Sequence, residues 1–271
     1  AAPAIAPRKP RRPIVMLRLR SRGYARSRVD LLLGSRGRAR MRRAMTPFPH
    51  FGALHISIVV GTFAAAFALY ALGRAPRASL HRHRVAVALA VLNASMYLWT
   101  TALELSEGRW TPREGLPLHL CDLSGFVVAH ALVTRSPRTF ELGYYLGAIG
   151  GLAGLALPQV TRIDSYFVPF FAWHALLFVS PIYLVGAYGL RPRLRGIPET
   201  LLVTALLALP IGAIDHALGA NYMFLRAKPR GAEAFPGAWP YYLPLMLAFG
   251  GVGLFLLWLP FAREARRGAL D

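Results

Sequence analysis

Only one cysteine stands in the chain, Cys121. No intramolecular disulfide can form, so the redox compartment is not legible from cysteine usage. Charge is also scarce. Lys, Arg, Asp and Glu together make up 16% of the residues, where a soluble domain carries about 25%. Acids are the rarer sign, 12 against 32 Lys and Arg. Close-set metal ligands are missing too. His119 and His130 return to one helix face, but eleven residues at about 1.5 Å each place them ~16 Å apart. No compact His pair replaces them, so neither a metal nor a cofactor is expected. No internal repeat is visible, which weakens a reading built on inverted transporter halves.

What is present is apolar length. Hydrophobic residues make up 55% of the 271, with mean hydropathy +0.41. They are gathered in runs that reach the ~20 residues needed to cross a bilayer core. The sequence therefore predicts an all-α, polytopic membrane bundle of about seven transmembrane helices. The spans are placed near 54–72, 85–105, 116–134, 140–157, 168–190, 200–218 and 241–261. Pro, Gly or Arg bounds each run. The third and fourth are parted only by Arg135-Ser136-Pro137-Arg138.

The net charge of +20 invites a nucleic-acid reading, but its placement argues against one. Residues 1–44 hold fourteen Arg and Lys against one acid, Asp30, a net of +13. They form a basic leader with apolar patches at Ile14–Leu17 and Leu31–Leu33, too short for a secretory h-region. Met45 opens a segment that runs directly into the first span. We read 1–44 as an upstream stretch that is not translated and 45–271 as the membrane domain. A basic arm on anionic lipid and a transit peptide are the other readings. Membrane lipids are the expected partners, and nucleic acid is not.

The loops after spans one, three and five together with the C-terminal tail carry twelve Arg and Lys, the opposite loops six. With Met45 as the start, the positive-inside rule puts the N-terminus outside and the C-terminus inside. A translated leader would argue the opposite. Trp110, Trp173, Trp239, Tyr241, Tyr242 and Trp258 lie near span ends, where interfacial aromatics belong.

Ionisable groups inside spans point to function. Here they are His55, Glu104, His119, Cys121, Asp122, His130, Glu141, His174, Asp215 and His216. The densest cluster is Leu116-Pro-Leu-His-Leu-Cys-Asp-Leu-Ser-Gly125, with Pro117 suited to a first helical turn. His119 and Asp122 are three apart and share a face. Cys121 points elsewhere, so its base must come from another helix. His174 on span five is the candidate. A Cys–His pair is the minimal equipment for acyl transfer, and without a base a thiol in apolar surroundings is an inert packing residue. A second cluster follows span six: Asn221, Tyr222, Arg226 and Lys228, a mixture that suits a phospholipid headgroup or an interfacial anchor.

These same motifs carry a resemblance. Leu116-Pro-Leu-His-Leu-Cys-Asp-Leu123, Trp173-His-Ala175, Asn221-Tyr-Met-Phe-Leu-Arg-Ala-Lys-Pro229, Gly237-Ala-Trp-Pro-Tyr-Tyr242 and Phe48-Pro-His-Phe-Gly-Ala-Leu-His55 together resemble the YwaF-type bacterial integral membrane proteins. Those resemble in turn the transmembrane protein 164 group, associated with acyl transfer onto ether-linked lysophospholipids through an intramembrane Cys and His. Androgen-induced fatty-acid-ester hydrolases are similar, with Thr for Cys. The resemblance runs from about Met45 to the end of span seven. It implies a nucleophile at Cys121 and a base at His174, in a multi-pass protein of a bacterial cytoplasmic membrane. His119 and Asp122 would shape the site, and Asn221, Tyr222, Arg226 and Lys228 would hold a headgroup or close the bundle mouth. The competing expectation is a non-enzymatic carrier whose His and Asp residues line a path across the membrane.

Overall fold

A computed structural model describes residues 46–76 and 81–262. The basic leader, residues 1–44, lies outside the described residues. Seven α-helices follow in chain order: α1 Ala53–Arg74, α2 Arg82–Ser106, α3 Leu120–Thr134, α4 Pro137–Ala156, α5 Phe167–Tyr188, α6 Gly196–Leu218 and α7 Tyr242–Trp258. Among the described residues there is no strand. Single 3₁₀ turns cover Tyr222–Phe224 and Leu259–Phe261.

Local chemistry sets the ends of these helices. Pro137 opens α4 at a position where its missing N–H costs no bond. Gly189 and Gly219 close α5 and α6 in the left-handed conformation that glycine takes without strain. Arg135 closes α3 with φ 55°, a conformation usually left to Gly or Asn.

Five helices, α1, α2, α5, α6 and α7, are long and apolar enough to cross a membrane. The third element is shorter than expected. Pro117 does not open α3. It lies two residues before the N-cap His119, whose backbone N–H donates to Asp122 Oδ2 at 3.1 Å. That bond satisfies an end group of the helix and sets its first residue at Leu120. The 15 residues of α3 reach only ~22 Å at 1.5 Å per residue, and α2, α4 and α5 pack around them.

The centre of the molecule is α5. It contacts α1, α2, α3 and α4, while α6 and α7 attach to α4 and to each other. Glycines in α4 let its neighbours close in. A Cβ on Gly147 would lie 2.9 Å from Val128 Cγ2 of α3 and 3.0 Å from the Leu177 carbonyl of α5. A Cβ on Gly151 would lie 2.6 Å from the His174 carbonyl. Small residues at such crossings trade side-chain volume for backbone contact, the usual currency of helix association in lipid.

Residues before α1 tie down one end. Phe48 N–H donates to Thr161 O (2.9 Å) and Ile163 N–H to Thr46 O (3.0 Å). The buried Phe48 ring meets Phe167 and Phe171 edge-on at 4.9 and 5.4 Å.

Candidate functional site

Cys121 is the second residue of α3. Asp122 and Leu123 N–H groups both donate to the His119 carbonyl, at 3.0 and 3.2 Å. The N–H groups of Leu120 and Cys121 are left without an intrahelical acceptor, as at any helix start. The thiol packs beside Met96, Trp173 and Leu177. Its Sγ lies 3.6 Å from where a Cβ on Gly150 would stand.

His174 is buried in the middle of α5. Its Nδ1 sits 2.7 Å from the Phe170 carbonyl one turn back. A carbonyl can only accept, so Nδ1 carries the proton and Nε2 keeps the lone pair. The Phe170 ring lies against the imidazole, centroids 4.3 Å apart. The ring fills the space over Gly154, where any Cβ would overlap Cδ2 and Nε2.

Gly150 and Gly154 are one turn apart on α4, neighbours on a single face. The thiol and the imidazole, from two helices, thus converge on one glycine stripe of a third. Both residues stand out in the sequence, but their seat on α4 does not. The signal was the spacing of Gly143, Gly147, Gly150, Gly151 and Gly154, readable only once the partners across α4 are known.

A cavity of about 50 Å³ lies between α2, the loop before α3, the start of α3 and α5, with neither Cys121 nor His174 among its described lining residues. Its wall includes Thr100, Glu104, His119, Asp122, Tyr166 and Trp173. Trp173 differs from expectation. It is buried in the bundle rather than set at the interface, and its indole Nε1 has no hydrogen-bond partner. A missing side chain makes room beside it, since a Cβ on Gly125 would be 3.3 Å from Nε1. Tyr166, just before α5, has its phenol held well above the ordinary range by burial and, less strongly, by the charges of Glu104 and Asp122. It stays a neutral donor.

The second cluster is bonded inward. Tyr222 is fully buried. Its hydroxyl donates to Pro112 O and accepts from Leu116 N–H, both at 2.9 Å. Burial pushes that phenol up to about 12. Its backbone N–H donates to Asp215 Oδ1 at 2.8 Å. Asn221 Oδ1 accepts from the N–H groups of Arg226 and Ala227, and its Nδ2 donates to Ala227 O. Arg226 reaches the Asp215 and Ala220 carbonyls. Lys228 bonds the Phe235 carbonyl and lies over the Tyr242 ring. Asn221, Arg226 and Lys228 tie the loop after α6 to itself and to the end of α6, and Tyr222 fastens it to the loop before α3, the loop that leads to Cys121. His119 joins this contact, its ring edge-on to Tyr222 at 5.1 Å.

The other intramembrane groups are dispersed. His55 accepts from Phe51 N–H (2.8 Å) and donates to Leu155 O (2.6 Å). Glu141 binds Arg193 at the far end of α4, its nearest oxygen 2.6 Å from Nη2. His130 and His216 are exposed. Among the described residues no group of three or more His, Cys, Asp or Glu is placed to hold a metal ion.

A protein of Treponema pallidum, described only as uncharacterized, is 31% identical over 233 residues, spanning 82% of this chain and 92% of its own length. No solved structure matches the chain. With apolar helices in number and residues 45–259 matching the TMEM164 family, this multi-pass membrane protein belongs to that family.

Proposed function

We propose that this protein moves acyl groups between membrane phospholipid esters through a thioester on Cys121. The observation that carries the reading is the convergence of Cys121 Sγ and the His174 imidazole on the Gly150–Gly154 face of α4, with Nε2 left as the basic nitrogen.

In this reading Nε2 takes the thiol proton and the sulfur attacks an ester carbonyl. Negative charge builds on the carbonyl oxygen. The Cys121 N–H at the start of α3 and the unpartnered Trp173 Nε1–H are the donors that would meet it. The carbon–oxygen bond of the ester breaks, and His174 returns the proton to the departing alkoxide. An acceptor hydroxyl then gives its proton to Nε2, attacks the thioester and releases the thiol. Water as acceptor makes the same step a hydrolysis. His119 and Asp122 set the start of α3, and Asn221, Tyr222, Arg226 and Lys228 hold the loop beneath it closed. The YwaF-type resemblance and a bacterial cytoplasmic membrane belong to this reading.

The test is intact-mass spectrometry of protein in nanodiscs made from a phospholipid with isotope-labelled acyl chains. Wild type is expected to gain one hydroxylamine-sensitive acyl group. Cys121→Ala and His174→Ala should gain none, and Trp173→Phe should acylate about 10²-fold more slowly. Adding lysophospholipid separates transfer from hydrolysis. Label that persists in Cys121→Ala, or none in wild type, would sink the proposal and leave the carrier reading.

A further inference from the structure

At the end of the bundle away from Cys121, the termini of α1 and α5 and the start of α2 enclose a cavity of about 530 Å³. That is the size of a small-molecule site. Arg74, Arg82 and Arg191 stand in its wall, with no acid among the described lining residues. Its remaining wall is α5 backbone around Gly186 and Gly189, with the Tyr188 side chain. A fourth cation, Arg135, stacks over the Tyr188 ring at 5.3 Å. The Tyr188 hydroxyl is buried and has no hydrogen-bond partner.

We propose that this cavity binds a phosphate group, carried by an anionic phospholipid headgroup or by a soluble phosphate ester. Three guanidinium groups around one concavity repel one another and draw an anion. The simpler explanation, arginines capping helix ends, covers Arg191, whose Nη1 donates to the Val185 and Leu190 carbonyls, but only part of the donor capacity of Arg82 and Arg74. Arg82 Nε donates to the Gly73 carbonyl at 2.9 Å, and Arg74 Nη1 to the Tyr70 hydroxyl at 3.0 Å. Each guanidinium has five donors in a fork that matches phosphate. Placement favours a lipid source. The cavity lies at the ends of apolar helices on the face richer in Arg and Lys, where basic pockets between spans meet anionic headgroups. This site is independent of the thioester reading.

The experiment is thermal unfolding of the purified full chain in neutral detergent, with phosphatidylglycerol, phosphatidylcholine or glycerol 3-phosphate added. Phosphatidylglycerol is expected to raise the midpoint by roughly 3–6 °C and phosphatidylcholine to leave it unchanged. Arg74→Gln should lose at least half of the rise, and Arg74→Gln with Arg82→Gln nearly all. Arg74 is exposed and bonds only within its own helix, so its variant keeps the fold. A rise with glycerol 3-phosphate that Arg74→Gln removes assigns the soluble source; a rise with phosphatidylglycerol alone assigns the lipid. An equal rise in wild type and Arg74→Gln, an equal rise with phosphatidylcholine, or no rise with either anion overturns the proposal.

Discussion

Helices α5 and α7 look alike as apolar strings, with mean hydropathies of 1.7 and 2.0 over their best windows. Their surroundings are opposite. Residues of α5 are 67% buried against protein, those of α7 only 11%. The polar load follows the enclosure. α5 carries His174, Ser180 and Tyr183, each buried. Ser180 accepts from Asn93 Nδ2 and Tyr183 donates to the Arg82 carbonyl, at 2.8 and 2.9 Å. α7 presents Phe249, Val252 and Leu256 outward. A polar group survives at membrane depth only where neighbouring protein supplies its partner. The buried polar groups of α5 are therefore enclosed by the helices packed around it. The apolar faces of α6 and α7 are free to meet lipid.

This contrast can be broken at single glycines. Gly154→Ala should have the largest effect, because its Cβ falls on the His174 ring. Overpacking of this kind costs about 1–3 kcal/mol. We expect a lower unfolding temperature together with loss of Cys121 acylation. Full activity in that variant would show that His174 does not need its seat on α4.

Tyr222→Phe comes next. It removes a buried hydroxyl that bonds both Pro112 and Leu116 and should cost about 1–3 kcal/mol. Hydrogen exchange is the measurement. Faster exchange at residues 112–120, with α7 unchanged, is expected. An unaltered pattern would detach the loop after α6 from the site.

Gly250→Ala should have the smallest effect. Nothing lies within 4 Å of its absent Cβ, and alanine is the better helix former by about 1 kcal/mol. Its melting temperature should match or slightly exceed wild type. A clear loss of stability would mean that a partner covers this face of α7.

Much of the fold was legible because bilayer thickness demands long apolar runs. Helices α1, α2, α4, α6 and α7 begin or end within a few residues of the expected positions. The start of α3 was not, because two local signals competed. Pro117 suggested a first turn, but the His119–Asp122 end bond set the helix start three residues further on, at Leu120. Trp173 was read as an interfacial anchor by its distance from a span end. Its burial depends on α2 and α3 lying across it, a fact of packing alone. Asn221, Tyr222, Arg226 and Lys228 were recognisable as a polar cluster, yet the inward bonding of Tyr222 needed the loop before α3 as a partner, and the other three turn back on their own loop and the end of α6.

The sequence by itself determined the solvent of this protein and the inventory of its reactive groups. Apolar length and a single thiol are countable along the chain, and neither depends on distant contacts. Only the tertiary structure decided which polar groups are enclosed and which glycines seat His174 and Cys121. Those depend on residues such as Cys121, Gly154 and His174 meeting across three helices, and an apolar run does not specify which of its faces meets protein and which meets lipid.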